Sequence, residues 1–345
     1  MPTEIAPHAS AAATQPESRA AAGPRKQLWA RHRSLAGPVG ILAILVVVFT
    51  AINPRFVSLS NIQAVADNAA APMVIAVGLT LVILMGSIDL SVEGVIATVS
   101  VAVSLLLANN VNANNLGAAG IIIALAVGVL FGLANGLIYT KLRLPSLIVT
   151  LGTWFVGLGI GSILFPDNPP AIADEGYRSL ALKQFLGFQR LDFIALAVVV
   201  LAALTLRYTR FGRTLYAIGG AEDLVKLAGV KIDRYKIAAF TIAGLLFGIA
   251  GLLLTAQLGI GNVSAGSNQL FPGISAVVVG GTLLSGGRGG IAQTVLGVLI
   301  LAALTNGMVL VGVSPYIQQA VIGAIIVAAV LTATWRARRP LRIIK

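Results

Sequence analysis

Apolar stretches recur along the chain, separated by short polar or glycine-containing intervals. A helix rises about 1.5 Å per residue, so roughly 20 apolar residues cross the ~30 Å hydrocarbon core of a bilayer. Ten such segments can be placed, at 35–52, 62–85, 94–110, 116–138, 147–165, 191–206, 236–257, 270–285, 290–311 and 315–334. The expected fold is therefore all-α, a polytopic membrane protein with about ten transmembrane helices. The third and eighth segments are short and bounded by glycine, and are expected to be broken or tilted helices. Non-helical backbone at membrane depth is tolerated only where protein or a polar cavity covers it. Pro72, Pro145, Pro272 and Pro315 are expected near helix starts, where a missing N–H costs least.

The polar intervals divide the rest. Residues 1–34 read as a disordered cytoplasmic tail, 35–335 as one membrane domain containing a long inner segment at 207–235, and 336–345 as a basic cytoplasmic tail. A cleavable signal peptide is disfavoured, because the first apolar run starts only near Leu35 and no soluble domain follows it. Ten spans place both termini on one side. With that side inside, only Arg55, Arg178, Lys183 and Arg190 of the 24 Lys and Arg fall on outer segments, so 20 lie inside. This is the bias that the positive-inside rule requires.

Composition agrees. Hydrophobic residues are 57% of 345 and charged residues 10%, with mean hydropathy +0.93; a soluble domain carries roughly 25% charged residues. The net charge of +12 would suggest nucleic acid in a soluble protein. Here the basic residues sit at helix ends, and no compact basic domain with interleaved aromatics exists, so no nucleic-acid partner is expected. With no cysteine there is no disulfide, thiolate nucleophile or cysteine-ligated metal.

One charged knot interrupts the apolar sequence, Gly86-Ser-Ile-Asp-Leu-Ser-Val-Glu-Gly94. Ionisable groups in a bilayer cost several kcal/mol, so they face protein or water and often mark function. Asp89 and Ser91 are placed to cap a helix starting near Leu90, and Glu93 would then sit in its first turn, where negative charge is favoured. The same oxygens are also suited to a polyhydroxylated solute, to a gating network or to coupling with a cation, and the sequence leaves these readings open.

Other polar positions are fewer. Asp67 and Asn68, near the outer part of the second span, either line a pathway or sit at interfacial depth. Gln257, Asn262, Asn268 and Gln269 cluster after the seventh span; amides both donate and accept, which suits hydroxyl recognition, although such residues at a membrane rim also simply face water. The outer segment 166–190, with Asp167, Asn168, Asp174, Glu175 and Arg178, is either a lid or docking surface or a plain connector. In the inner segment, Ala221–Ala228 reads as a short helix with Glu222 and Asp223 at its start, Lys226 toward its end and Gly229 as a stop. Leu224, Val225 and Leu227 give it apolar contacts, either for a cytoplasmic partner or for the protein's own helix ends. Asn135-Gly136 followed by Pro145, and Asn306-Gly307 followed by Pro315, suggest an internal duplication of the kind common in transporters.

Chemistry for an enzyme is missing. No Gly-x4-Gly-Lys-Ser/Thr phosphate loop occurs, and His8 and His32 both lie in the basic tail, leaving no embedded histidine for a metal or a nucleophile. No catalytic or metal-binding residue is expected. The glycines at 280–290 lack the preceding strand of a dinucleotide fingerprint.

The knot, the inner segment and the span count together resemble permease subunits of bacterial ABC importers of the ribose/xylose/simple-sugar type. The resemblance covers roughly 38–334 and is carried by Met85–Gly94, by Ala134-Asn-Gly-Leu-Ile-Tyr-Thr-Lys-Leu-Arg-Leu-Pro145, by Ile148-Val-Thr-Leu-Gly152 and by Gly212-Arg-Thr-Leu-Tyr-Ala-Ile-Gly219. Ala221–Val230 resembles the family's cytoplasmic coupling helix. Two departures stand out: Ser87 where the family commonly has a second glycine, and Glu93 where it commonly has glycine. Gly219-Gly220-Ala221-Glu222 also replaces the commoner Gly-Asn-Asn/Pro-Glu opening of the coupling segment.

The resemblance implies a multi-pass protein of the bacterial cytoplasmic (inner) membrane that moves a monosaccharide or related polyol inward by alternating access. It implies a second permease subunit (a homodimer or a heterodimer), two cytoplasmic ATP-binding subunits and a periplasmic solute-binding protein. ATP and Mg would be bound by the ATPase and no cofactor by this chain. Coupling to the ATPase would fall to Arg213, Gly219, Glu222, Asp223, Leu224, Leu227 and Gly229. Asp89, Ser91, Glu93, Asp67 and Asn68 would serve the pathway or its gating, and Gln257, Asn268 and Gln269 would contact solute. The alternatives are a permease for nucleosides or branched-chain amino acids, an ion-coupled secondary carrier or membrane enzyme, and a non-enzymatic membrane scaffold.

Overall fold

The structure, a computed structural model, describes residues 24–335. The helices are α1 (Pro24–Ile52), α2 (Leu59–Leu84), α3 (Val92–Leu106), α4 (Ala118–Lys141), α5 (Ser146–Leu164), α6 (Glu175–Leu182), α7 (Arg190–Tyr208), α8 (Arg210–Leu227), α9 (Ile232–Leu258), α10 (Leu270–Val279), α11 (Ile291–Leu310) and α12 (Pro315–Trp335). A short hairpin, β1 (Gln184–Phe185) and β2 (Phe188–Gln189), turns through Leu186 and Gly187, both at positive φ. This is the geometry of a tight two-residue hairpin turn.

The chain is an all-α polytopic membrane protein. Among the described residues seven helices are long and apolar enough to cross a membrane: α1 from Leu35, α2, α4, α5, α7, α9 and α11. Unlike a soluble bundle, the outside is apolar as well as the core. Ile44 and Val47 on α1, Ile122 and Leu130 on α4, Phe155 and Ile163 on α5, and Leu201 and Leu204 on α7 all face outward. Apolar surface this extensive needs a covering phase, and helices of this length make that phase a bilayer. The centre is built from α2, α3, α9 and α10, where Val74–Val77, Ile96, Phe240, Phe247 and Val277 are buried.

Each of the ten apolar segments holds a helix, with revised ends. The third and eighth are the short ones, α3 with 15 residues and α10 with 10. The eighth ends at Val279 and not near 285, because the glycines from Gly281 onward leave the helical region. The helix of the first segment extends back to Pro24, so the expected 1–34 tail is helical from there; 1–23, with His8, and 336–345 lie outside the described residues. Pro72 is not near a helix start. It lies in the interior of α2, a position that membrane helices tolerate where surrounding groups satisfy the freed carbonyl. Pro145 caps α5, Pro272 lies in the first turn of α10 and Pro315 opens α12.

The order short helix, long helix with Asn-Gly, proline, helix occurs twice, as α3–α4–α5 and as α10–α11–α12. This symmetry is consistent with duplication.

Loops gather at the two ends. At one end Ala173 N–H bonds Ala108 C=O at 2.7 Å, Ile172 N–H bonds Gly259 C=O at 3.0 Å, and the Tyr177 hydroxyl of α6 reaches Leu252 C=O on α9 at 2.6 Å. The segment 166–190 is thus laid across this end as a cap. At the opposite end lie the knot, the α4–α5 turn, α8 and the glycine-rich loop 280–290.

Candidate functional site

The knot is a well-satisfied break in the fold. α2 ends at Leu84, and Gly86, at φ +74°, turns the chain out of the helix with its N–H on Ile83 C=O at 2.8 Å. A side chain at that φ would be strained. The next residues are not helical, and their amides are taken by hydroxyls of α5: Ser146 Oγ accepts from Ile88 N–H at 3.2 Å and Thr150 Oγ1 from Leu90 N–H at 3.0 Å. Buried backbone polar groups require such partners.

Asp89 is fully buried and faces inward to the same turn. Its Oδ1 accepts Ser91 N–H at 2.9 Å and Ser91 Oγ–H at 2.6 Å. Asn135 of α4 donates to Ser91 Oγ at 2.9 Å, and Thr153 of α5 donates to Asn135 Oδ1 at 2.7 Å. Four side chains from the knot, α4 and α5 thereby form one hydrogen-bonded chain. Asp89 Oδ2 is buried without a hydrogen-bond partner. α3 begins at Val92, two residues after the expected start, because the Asp89 carboxylate closes a turn on Ser91 before the helix begins.

Glu93 sits in the first turn of α3 and reaches a different element. Its Oε1 accepts the N–H of Leu270, the first residue of α10, at 3.3 Å. The segment 260–269 runs down α3 to reach that point, with Asn262 N–H on Ser100 Oγ at 3.1 Å and Gly266 packed against Ile96 and Glu93. Gln269 caps α10 without a side-chain bond, and Asn268 beside it is exposed at φ +63°. Glu93, Asn268 and Gln269 therefore meet at the start of α10.

Asp67 and Asn68 belong elsewhere, on the half of α2 remote from the knot. Asn68 is exposed and donates to Ala64 C=O in its own helix. Asp67 lies against Asp192 of α7, and its backbone C=O accepts from Gln257 at 2.8 Å. The expected pathway residues thus form two groups, not one.

At the opposite end the inner segment is the helix α8, broken at Ala221 (φ −166°, ψ 76°). Its first part packs on the end of α2, just before the knot, and on the glycine-rich loop 280–290. A Cβ at Gly219 would overlap the carbonyl oxygen of Leu84 and the amide of Gly287, while Gly287 N–H itself bonds Leu84 C=O at 2.9 Å. Its second part points away. Leu224 and Leu227 are 67% and 83% exposed, Asp223 and Lys226 are exposed, and Gly229 at φ +78° ends the turn. Arg213 is exposed and reaches Tyr208 C=O. Glu222 alone of this group pairs inward, accepting from Lys236 at 2.7 Å.

Residues 61–330 match the family model described as "Branched-chain amino acid transport system / permease component". The chain belongs to this permease family. It is 38% identical over 281 residues to the probable ABC transporter permease protein YphD of Escherichia coli, covering 81% of this chain and 83% of that one. It is 37% identical over 273 residues to the ribose import permease RbsC of Bacillus subtilis, covering 78% and 83%. It is also 34% identical over 164 residues to the L-arabinose transport system permease AraH of Escherichia coli, covering 48% and 50%. No solved structure matched the chain.

Sequence reading missed the polar stripe on α5. Ser146, Thr150 and Thr153 fall at i, i+4 and i+7, one helical face, and that spacing is the signal by which they are recognisable. Asn135 of the permease, read as half of an Asn-Gly repeat and as part of the Ala134–Pro145 motif, is fully buried at the centre of the knot's network. Tyr139, one turn further along α4, stood in the Ala134–Pro145 motif but was assigned no role there.

Proposed function

We propose that this permease carries a monosaccharide or related polyol into the bacterial cytoplasm as part of an ATP-driven importer. The observation that carries the reading is the pairing of two features in α8: a solvent-facing Leu224–Leu227 surface, and a backbone seat at Gly219 on the end of α2 where the knot begins. An exposed apolar pair on a short polar helix suits a protein partner. The seat gives that partner purchase on the membrane core. The sugar is favoured by the ribose, xylose and arabinose permeases among the relatives.

In this reading the ten helices α1–α5, α7 and α9–α12 all span, with both termini and α8 in the cytoplasm, as the basic residues require. The membrane domain runs over 35–335 and pairs with a second permease subunit. Two cytoplasmic ATPases, binding ATP and Mg, engage Arg213, Glu222, Asp223, Leu224 and Leu227, with Gly219 and Gly229 setting the path of the segment. A periplasmic solute-binding protein delivers cargo to the end capped by 166–190. Asp89, Ser91 and Glu93 shape the interruption between α2 and α3, Asp67 and Asn68 lie at the outer mouth, and Gln257, Asn268 and Gln269 offer amides to the solute. Work is done by stabilising inward- and outward-facing states differently.

The test is reconstitution in vesicles with the ATPase and solute-binding protein found to assemble with it, followed by uptake of radiolabelled D-ribose, D-xylose, L-arabinose and L-leucine. ATP-dependent uptake of a sugar is the expected result. Uptake of leucine alone overturns the sugar assignment, and uptake driven by an ion gradient without ATP overturns the importer.

A further inference from the structure

We propose that Glu222, Lys236, Tyr139 and Ser87 form a positioning relay that links the broken end of α8 to the turn after α2. The proposal rests on the importer reading above and names the residues that transmit displacement within it. The four residues come from four different elements. Lys236 Nζ, on the second turn of α9, donates to Glu222 Oε1 at 2.7 Å. The same ammonium lies over the Tyr139 ring of α4, 4.8 Å from its centroid. The Tyr139 hydroxyl accepts from Ser87 Oγ at 3.2 Å, and Ser87, itself buried, is the second residue of the knot's turn.

Burial makes the central residue consequential. Lys236 is only 8% exposed, and lysine is almost never buried without a partner. Its charge is held on one side by a carboxylate and on the other by the face of an aromatic ring, an arrangement that attracts a cation most strongly when water is excluded. Glu222 is half exposed and belongs to the part of α8 that projects beyond the Ala221 break. A movement of that part removes the anion from a buried cation. The ammonium then depends on Tyr139, whose hydroxyl is bonded to the knot. Position of the exposed helix and geometry of the buried turn are thereby tied by three contacts, in parallel with the backbone seat at Gly219.

Spatial intermediacy does not by itself establish coupling; interaction energy between residues that do not touch does. The experiment therefore uses the reconstituted complex with its ATPase and binding protein, with whichever of D-ribose, D-xylose or L-arabinose it takes up as probe. Glu222→Gln and Ser87→Gly are made singly and together, and both uptake and ATP hydrolysis are recorded. The relay predicts that each single variant raises ATP hydrolysed per solute moved about threefold or more, and that the double variant is no worse than the worse single one. In a Tyr139→Phe background, which keeps the ring and removes the hydroxyl, the relay is already broken and neither variant raises the ratio further. Lys236→Arg restores most of the ratio lost in Lys236→Met; if Lys236→Met does not assemble, the Glu222–Ser87 cycle decides alone.

Independent, multiplying effects in the native background overturn the relay. So does an unchanged ATP-to-solute ratio with uptake and hydrolysis falling together, since that is what a purely structural role produces. A native complex that takes up none of the probes overturns the importer reading instead, and the relay with it.

Discussion

Glu93 on α3 holds the amide of Leu270 on α10, so the first turns of the two short helices are joined by one carboxylate. The bond satisfies one of the free N–H groups at the start of α10 and places negative charge at its positive end. Glu93→Ala is expected to lower stability by about 0.5–2 kcal/mol, the range for loss of a capping acceptor. Glu93→Gln keeps an acceptor and is expected to retain much of that. Thermal unfolding in detergent, alongside competition uptake of D-ribose, D-xylose and L-arabinose, reads both. A changed solute order with unchanged melting would make Glu93 a recognition residue and not a brace.

Gly219 and Gly220 are adjacent and should respond oppositely to alanine. At Gly219 a methyl meets backbone atoms of Leu84, Gly286 and Gly287, none of which can swing aside as a side chain would; at Gly220 it meets nothing within 4 Å. Overpacking of this kind costs about 1–3 kcal/mol. Gly219→Ala is expected to melt earlier and to lose ATP-driven uptake, and Gly220→Ala to behave as the native chain. Equal behaviour of the two would remove the seat of α8 on the end of α2 from any account of coupling.

Asp89 tests whether the buried charge itself matters. Its Oδ1 does the hydrogen bonding, to Ser91 N–H and Oγ–H. Asp89→Asn preserves an oxygen there, whereas Asp89→Ala leaves Ser91 N–H and the Asn135–Thr153 chain without their end point, at a cost of about 1–3 kcal/mol. The expected melting order is native, then Asn, then Ala, with the Asn variant still assembling with the ATPase and still taking up solute. Full assembly with abolished uptake in Asp89→Asn would mark the carboxylate as a charge carrier and favour cation coupling.

Legibility in the sequence followed the physics of each feature. Spans were visible because a bilayer demands ~20 apolar residues in a row, and the short segments at α3 and α10 were visible because glycine bounds them. The helix of the first span reaching back to Pro24 was not, since Arg and Lys there read as tail. Asp89 and Glu93 were conspicuous as charges, yet Thr150, which takes the Leu90 N–H beside Asp89, and Leu270, whose N–H Glu93 accepts, come from packing that no local pattern encodes. Ser91 bonding Asp89 was readable, being two residues apart; Asn135 bonding Ser91 was not. The division of the pathway candidates into two groups follows from the 26-residue length of α2, which separates Asp67 from the knot that ends the same helix.

Leu224 and Leu227 supply the sharpest division between folding and partnership. Both are exposed, at 67% and 83%, so replacing them removes little buried surface from this chain. Leu224→Ala with Leu227→Ala is expected to leave the melting temperature of the isolated permease unchanged. If the pair fills a groove in the ATPase, truncation there costs about 1–2 kcal/mol or more per anchoring residue, which is roughly five- to thirtyfold in affinity for each. Binding of the ATPase subunit to the permease in nanodiscs measures this directly, and solute-stimulated ATP hydrolysis should fall in proportion. Lys226→Ala, between them and also exposed, is expected to slow association at low salt and to have little effect at high salt, because an exposed charge acts mainly through steering. Unchanged affinity in the double leucine variant would sink the assignment of α8 as the docking element and return those side chains to ordinary exposed positions on a cytoplasmic loop.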